Sequence, residues 1–172
     1  MKGTWIIVLS SLVIIMGAVV GCKDDMTSDL CPVQYKVDTE NTYNLYGKWQ
    51  FVGFYDTISG QIDPPLCGNV ESWIEFTDST HTQTGQAYKY PIVYRGSALI
   101  NYFSGSYQPD TQQKQIELSA TVKTKVKGTP QVEDFETRFH NILSGVSDYH
   151  ILNNELFLVP SFGSTQLRFV AM

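Results

Sequence analysis

The chain has 172 residues, 42% of them hydrophobic and 13% aromatic, with 12 basic against 17 acidic side chains and a formal net charge of −5. An acidic balance argues against nucleic acid or anionic lipid headgroups as partners. The length suits one domain that buries about two-thirds of its unfolded surface and needs neither a metal nor a disulfide to fold.

Lys2 precedes an almost unbroken apolar run over residues 5–20, which ends in Val19-Val20-Gly21-Cys22. A basic start, a short apolar core and a small residue before the cut mark an export signal, and the run is too short for a confident membrane span of about 20 residues. The last four residues resemble the bacterial lipobox. That resemblance implies cleavage after residue 21 and acylation of Cys22, with more than one acyl chain holding the protein at a bilayer. Lys23-Asp24-Asp25 is similar to the short signal that routes some lipoproteins to the outside of the outer membrane. The expected location is therefore the outer membrane, lipid-anchored, facing either the cell surface or the periplasm. Two further thiols, Cys31 and Cys67, would then sit in an oxidising compartment where they can form a single bridge. Closing that loop of about 37 residues would contribute roughly 4 kcal/mol in the chain-entropy description.

Residues 22–44 are polar and read as a flexible tether, so the folded domain is expected over residues 45–172. Trp49, Phe51 and Tyr55 recur with the period of a half-buried strand, and Val70, Ile74 and Phe76 repeat it. Gly60, Pro64, Pro65 and Gly68 mark residues 56–69 as a long loop. Residues 88–94, 98–107 and 116–126 are further strand candidates, the last two joined through Pro109-Asp110.

The period then changes. Val132, Phe135, Phe139, Ile142, Leu143 and Val146 recur at steps of three and four, with Glu133, Asp134, Glu136 and Arg138 opposite, which describes an amphipathic helix. Thr129 suits its cap, Pro130 its first position and Gly145 its exit. Residues 150–152, the turn Asn153-Asn154, and residues 156–159 and 166–170 close the chain as hairpin elements. The fold class expected from this order is α+β, mainly β: a curled antiparallel meander, forming a partial barrel, with one packed helix.

The segments Gly47-Lys48-Trp49, Asn101 to Tyr107 (NYFSGSY), Phe135 to Leu143 (FETRFHNIL) and Tyr149 to Leu158 (YHILNNELFL), in that order, resemble the META domain, a small β-rich module of bacterial envelope lipoproteins. The resemblance implies a non-catalytic role in envelope maintenance, stress tolerance or partner binding. Many members carry a cysteine just before the Asn of the second motif and another in the Thr-rich strand; Ile100 and residues 120–125 supply none. Gly47-x-Trp49 also resembles the start of lipocalin-like barrels, which implies the alternative of a carrier with Trp49, Phe51, Tyr55, Ile74 and Phe76 facing an apolar ligand.

Chemistry is sparse. The sequence contains no G-x-S-x-G, H-E-x-x-H or C-x-x-C motif. Ser104-Gly105-Ser106 falls in a strand, where a glycine marks a bulge more readily than a nucleophile turn. His81, His140 and His150 lack the short spacings of metal ligands, with His140 expected on the exposed helix face. Paired carboxylates such as Glu133-Asp134 have a plainer role in the helix's first turn. Lys123, Lys125 and Lys127 alternate along a strand, either as an anion-binding stripe or as a solvated edge that discourages aggregation. Tyr88, Tyr90, Tyr94, Tyr102, Phe103 and Tyr107 either fill a sheet interface or form a surface for sugars or peptides. We therefore expect no enzyme, no cofactor and no metal. The expected partners are the membrane, through the anchor, and an envelope protein or glycan.

Overall fold

The computed structural model describes residues 44–66, 71–80 and 89–172. The chain forms strands β1 (Gly47–Asp56), β2 (Ile62–Asp63), β3 (Trp73–Thr80), β4 (Ile92–Ala98), β5 (Asn101–Asp110), β6 (Gln115–Leu118) and β7 (Val122–Lys123). Helix α1 (Pro130–Ser144) and strands β8 (Val146–Leu152), β9 (Glu155–Pro160) and β10 (Thr165–Ala171) complete it. Every pairing is antiparallel, and the strands follow one another around the sheet in the order β10-β9-β8-β6-β5-β4-β3-β1, with β10 returning to pair β1. The expected partial barrel is therefore a closed barrel of eight strands. Two strands lie off the ring, β2 on β1 and β7 on β5.

Closure works because β1 is long enough to serve three neighbours. Its first four residues pair β3, Phe54 and Tyr55 pair β2, and its other edge pairs β10 from Trp49 to Asp56. The register slips between Phe51 and Gly53, a bulge that bends the strand and flips its parity. Trp49 and Phe51 point inward, but past the bulge Phe54 takes the interior position and Tyr55 turns out to meet Phe157 edge-on at 5.8 Å. The expected in-phase trio of Trp49, Phe51 and Tyr55 fails at its third member for this reason. Gly53 is required where β2 crosses: a Cβ there would lie 2.6 Å from the Asp63 carbonyl oxygen.

The interior is aromatic and packed. Around Phe51 stand Phe54, Phe135, Phe139 and Phe169, with ring centroids 5.1 to 5.8 Å away in edge-to-face arrangements. Such contacts are each worth about 0.5–1.5 kcal/mol beyond the area they bury. Phe76 and Tyr107, at 5.0 Å, continue the column. Trp49, Phe51, Ile74 and Phe76, the residues a carrier would use to line a cavity, are each 0–1% exposed and belong to this one cluster.

α1 contributes Phe135, Phe139 and Leu143 to that cluster. Thr129 caps its start, accepting from Val132 N, Pro130 opens it, and the Gly145 N–H closes it on the Ile142 carbonyl. Val146, which the helical period includes, instead begins β8 and stays in the core. Asn153 and Asn154 both take positive φ, 51° and 65°, as a tight hairpin between β8 and β9 needs. Within the expected long loop, residues 62 and 63 pair with β1 as β2. The strand expected over residues 116–126 is broken into β6 and β7 by residues 119–121, although both pieces run along β5.

Candidate functional site

The β4–β5 hairpin turns at Leu99 and Ile100, which are not turn formers, and Leu99 is held at φ 60°. The expected strand over residues 98–107 hides this turn, because other elements hold it. Ser72 Oγ accepts from Leu99 N at 3.0 Å, and Ser97 Oγ donates to the Leu99 carbonyl at 2.9 Å. Glu136 Oε1 on α1 accepts from both Ile100 N and Asn101 N, at 3.1 and 2.9 Å, while Glu136 Oε2 accepts from Asn101 Nδ2 at 2.6 Å. Glu136 is buried. The expectation that it lies on the exposed helix face is thus corrected: it flanks the apolar arc and carries a carboxylate where three donors converge.

Asn101 connects this lock to the segment after β7. Its Oδ1 accepts from Val126 N and from Thr124 Oγ1, and its Nδ2 also donates to the Val126 carbonyl. The side-chain amide thereby imitates backbone and extends the β5–β7 ladder by two residues. Next along β5, Gly105 faces Tyr94 in an unshifted register, so it marks no bulge. A Cβ on Gly105 would lie 2.6 Å from the Tyr94 hydroxyl oxygen, so the glycine leaves room for that ring. In the Ser104-Gly105-Ser106 run the Ser106 hydroxyl is equally structural: Ser106 Oγ accepts from Tyr90 N at 3.1 Å, while Ser106 N donates to Ser119 Oγ.

On the outer face beside this motif is a cleft of about 440 Å³, lined by Trp73, Arg95, Tyr102, Val122 and Thr124 among others. Lys48 lies over the Trp73 ring at 4.3 Å, and Arg95 Nε pairs with Glu75 at 2.6 Å. A second cleft of about 310 Å³ lies on the other side of residues 123–127, between them and the Glu133, Glu136 and Thr137 side of α1. Among the described residues, Lys123, Lys125 and Lys127 form no ion pair. Of the tyrosine cluster, Tyr90, Tyr94, Phe103 and Tyr107 are core, whereas Tyr102 is 61% exposed.

Histidine positions differ from expectation. His140 is half-buried against the Phe103 and Phe139 rings at 5.3 and 5.6 Å, and its Nε2 finds no hydrogen-bond partner among the described residues. Burial, with a smaller contribution from the Lys123 charge, pushes its pKa down to about 4. His150 lies on β8, stacked on Phe157 at 4.6 Å, and burial lowers its pKa as well. The two rings sit on different elements with different neighbours. No group of three or more His, Cys, Asp or Glu side chains that could hold a metal occurs among the described residues. Cys22, Cys31, Cys67, His81 and Tyr88 lie outside the described residues.

The Asn101–Glu136 lock was missing from the sequence-based expectation. Its signal was present in the helical wheel, where Glu136 stands four residues after Val132 and three before Phe139, at the margin of the apolar arc.

Comparison with known proteins gives a family and a fold. A family model, the META domain, matches residues 77–172, more than half of the chain and the part that holds this lock. No curated protein matches. Among solved structures, a protein from Burkholderia xenovorans determined by NMR is 15% identical with a TM-score of 0.57, covering 79% of this chain and 89% of its own. A second NMR structure is 14% identical with a TM-score of 0.51, covering 78% and 95%. A DUF4847-family protein from Bacteroides vulgatus is 17% identical with a TM-score of 0.49, covering 72% and 91%. The likeness to the two NMR structures is one of fold.

Proposed function

The chain belongs to the META domain family, and from that membership we propose a non-catalytic, lipid-anchored envelope protein that acts by binding a partner through its outer surface. Cys22 carries the anchor in this reading, residues 22–44 the tether, and the outer membrane is the location. The observation that carries the reading is how the polar groups are used. The buried acid Glu136 accepts three hydrogen bonds that fold a turn, Ser106 is enclosed in the sheet, and His140 stands among phenylalanines. These are structural engagements, and none aims two reactive groups at a common point.

The closed ring favours a second reading, a carrier of a small apolar ligand. Against it stand the four rings packed on Phe51, which with it occupy the space such a ligand needs. One experiment on the full chain separates the two: membrane fractionation of wild type and Cys22→Ala, with an apolar fluorescent probe titrated into each. The proposal expects the wild type with membranes, the variant in the soluble pool, and no saturable uptake of probe by either. Retention of the variant on membranes would contradict the anchor, and stoichiometric uptake would establish the carrier.

A further inference from the structure

The ring is paired through most of its seams, β6–β8 with one residue pair being the thinnest, and two further strands lie off it. β2 is clasped by α1 through the Arg138–Asp63 ion pair, with Arg138 also over the Phe54 ring at 4.0 Å. Residues 122–126 are different. Thr124 N donates to the Tyr102 carbonyl and Val126 N to Asn101 Oδ1, so the even-numbered residues turn their backbone towards β5. The N–H and C=O groups of Lys123 and Lys125 therefore point away from β5, and among the described residues none of them meets a partner. Val122 and Lys123 are strand and Asn101 pins Val126 beside β5, so this edge lies alongside the sheet, where a strand can be added.

The side chains on the two faces of that edge differ in kind. Val122 pairs with Ser104 on the outer face, and Val122 and Tyr102, 57% and 61% exposed, line the larger cleft. Lys123 pairs with the inward-facing Phe103, and Lys123, Lys125 and Lys127 line the smaller cleft against α1. The acids there are Glu133, at the rim, and Glu136, whose carboxylate already holds Asn101 and Ile100. Three cations without an ion pair among the described residues, on a chain of net charge −5, make this a basic edge on an acidic molecule.

The geometry points to strand addition at residues 122–126 by an extended segment of a partner protein that alternates acidic with apolar side chains. Backbone hydrogen bonds to Lys123 and Lys125 register it, its acids face the lysines, and its apolar residues cover Val122 and Tyr102. Opposite charges and apolar pairs directly across neighbouring strands are the pairings that stabilise a sheet. A second copy of this chain does not fit, because two such edges would set lysines against lysines. The inference rests on the partner-binding reading above, yet its failure is separable: a chain that accepts no strand would still fractionate with membranes and exclude the apolar probe.

The test is calorimetric titration of the full chain with a capped hexapeptide alternating glutamate with valine and threonine. Three controls accompany it: an isomer with the glutamates grouped together, a copy N-methylated on the backbone amides of one edge, and the protein variant Lys123→Glu/Lys125→Glu. The expected result is saturable binding by the alternating peptide, weakened at least tenfold by each control. The lysine variants are surface changes that leave the fold intact, which circular dichroism verifies. Equal binding of the grouped isomer and the N-methylated copy would overturn strand addition in favour of charge attraction. Absence of saturable binding, or amide perturbations in the nitrogen-15 spectrum that avoid Lys123 and Lys125, would overturn the site.

Discussion

On one flank of the barrel β1 and β10 match seven residue pairs, from Trp49 opposite Ala171 to Asp56 opposite Thr165. On the other flank β6 and β8 share one pair, Gln115 opposite Asp148, helped by a Tyr149 N to Lys114 carbonyl hydrogen bond of 2.8 Å. On that side α1 packs against β5 and does not bridge β6 to β8: Phe139 and His140 meet Phe103 of β5, and Glu136 ties down the β4–β5 turn. One side of the barrel thus rests on a long backbone ladder and the other on a short one, with a buried polar lock beside it. The second flank keeps an unpaired edge.

Removing the shared interior should damage both flanks together. Phe51→Ala deletes the ring on which Phe54, Phe135, Phe139 and Phe169 converge, and should cost about 3–5 kcal/mol in urea denaturation. Breaking only the polar lock should cost less. Glu136→Ala leaves Ile100 N, Asn101 N and Asn101 Nδ2 without their acceptor, a loss of about 2–4 kcal/mol, with Glu136→Gln near 1 kcal/mol because one acceptor oxygen remains. Smaller again is Gly105→Ala, whose Cβ forces the Tyr94 ring aside, at about 1–3 kcal/mol by thermal denaturation.

The smallest effect is tied to acidity. His140 holds a proton less readily in the fold, at about 4 against an ordinary 6.5, so between those values the unfolded chain binds more protons and stability falls as pH is lowered. Stability should fall over that window and level off below it, the loss arising where α1 packs on Phe103. Since the ring is only partly buried, the loss is on the order of 1 kcal/mol. His140→Phe should flatten the stability-versus-pH curve there, and an unchanged slope would show that His140 is not the group responsible.

The elements that could be read from the chain are those whose cause is local. α1 carries its own period, its Thr129 cap and its Pro130 start, and the hairpin at Asn153-Asn154 carries residues that tolerate positive φ. What resisted reading depends on partners distant in sequence. The Phe51/Gly53 slip, which exchanges Phe54 for Tyr55 in the core, is imposed by β10 and by the crossing of β2. The turn at Leu99 exists because Ser72 and Glu136, 27 and 35 to 36 residues away, hold its amides. Alternation shows that Lys123 and Lys125 lie on one side of a strand; that their backbone faces away from β5 follows from the bonds of Thr124 to Tyr102 and of Val126 to Asn101, which no local pattern announces. The META-like order of motifs was visible because Asn101, Gly105 and Glu136 each answer to a specific contact.

Amide hydrogen exchange tests the two-flank closure most directly, through wild type and Glu136→Ala compared residue by residue. The account predicts that amides paired between β1 and β10 exchange slowest, and that those of Ile100, Asn101, Thr124 and Val126 exchange at least about 100-fold faster. The variant should accelerate only the second group, as expected when two regions open as separate cooperative units. Equal protection of both flanks, or their joint acceleration in the variant, would contradict it.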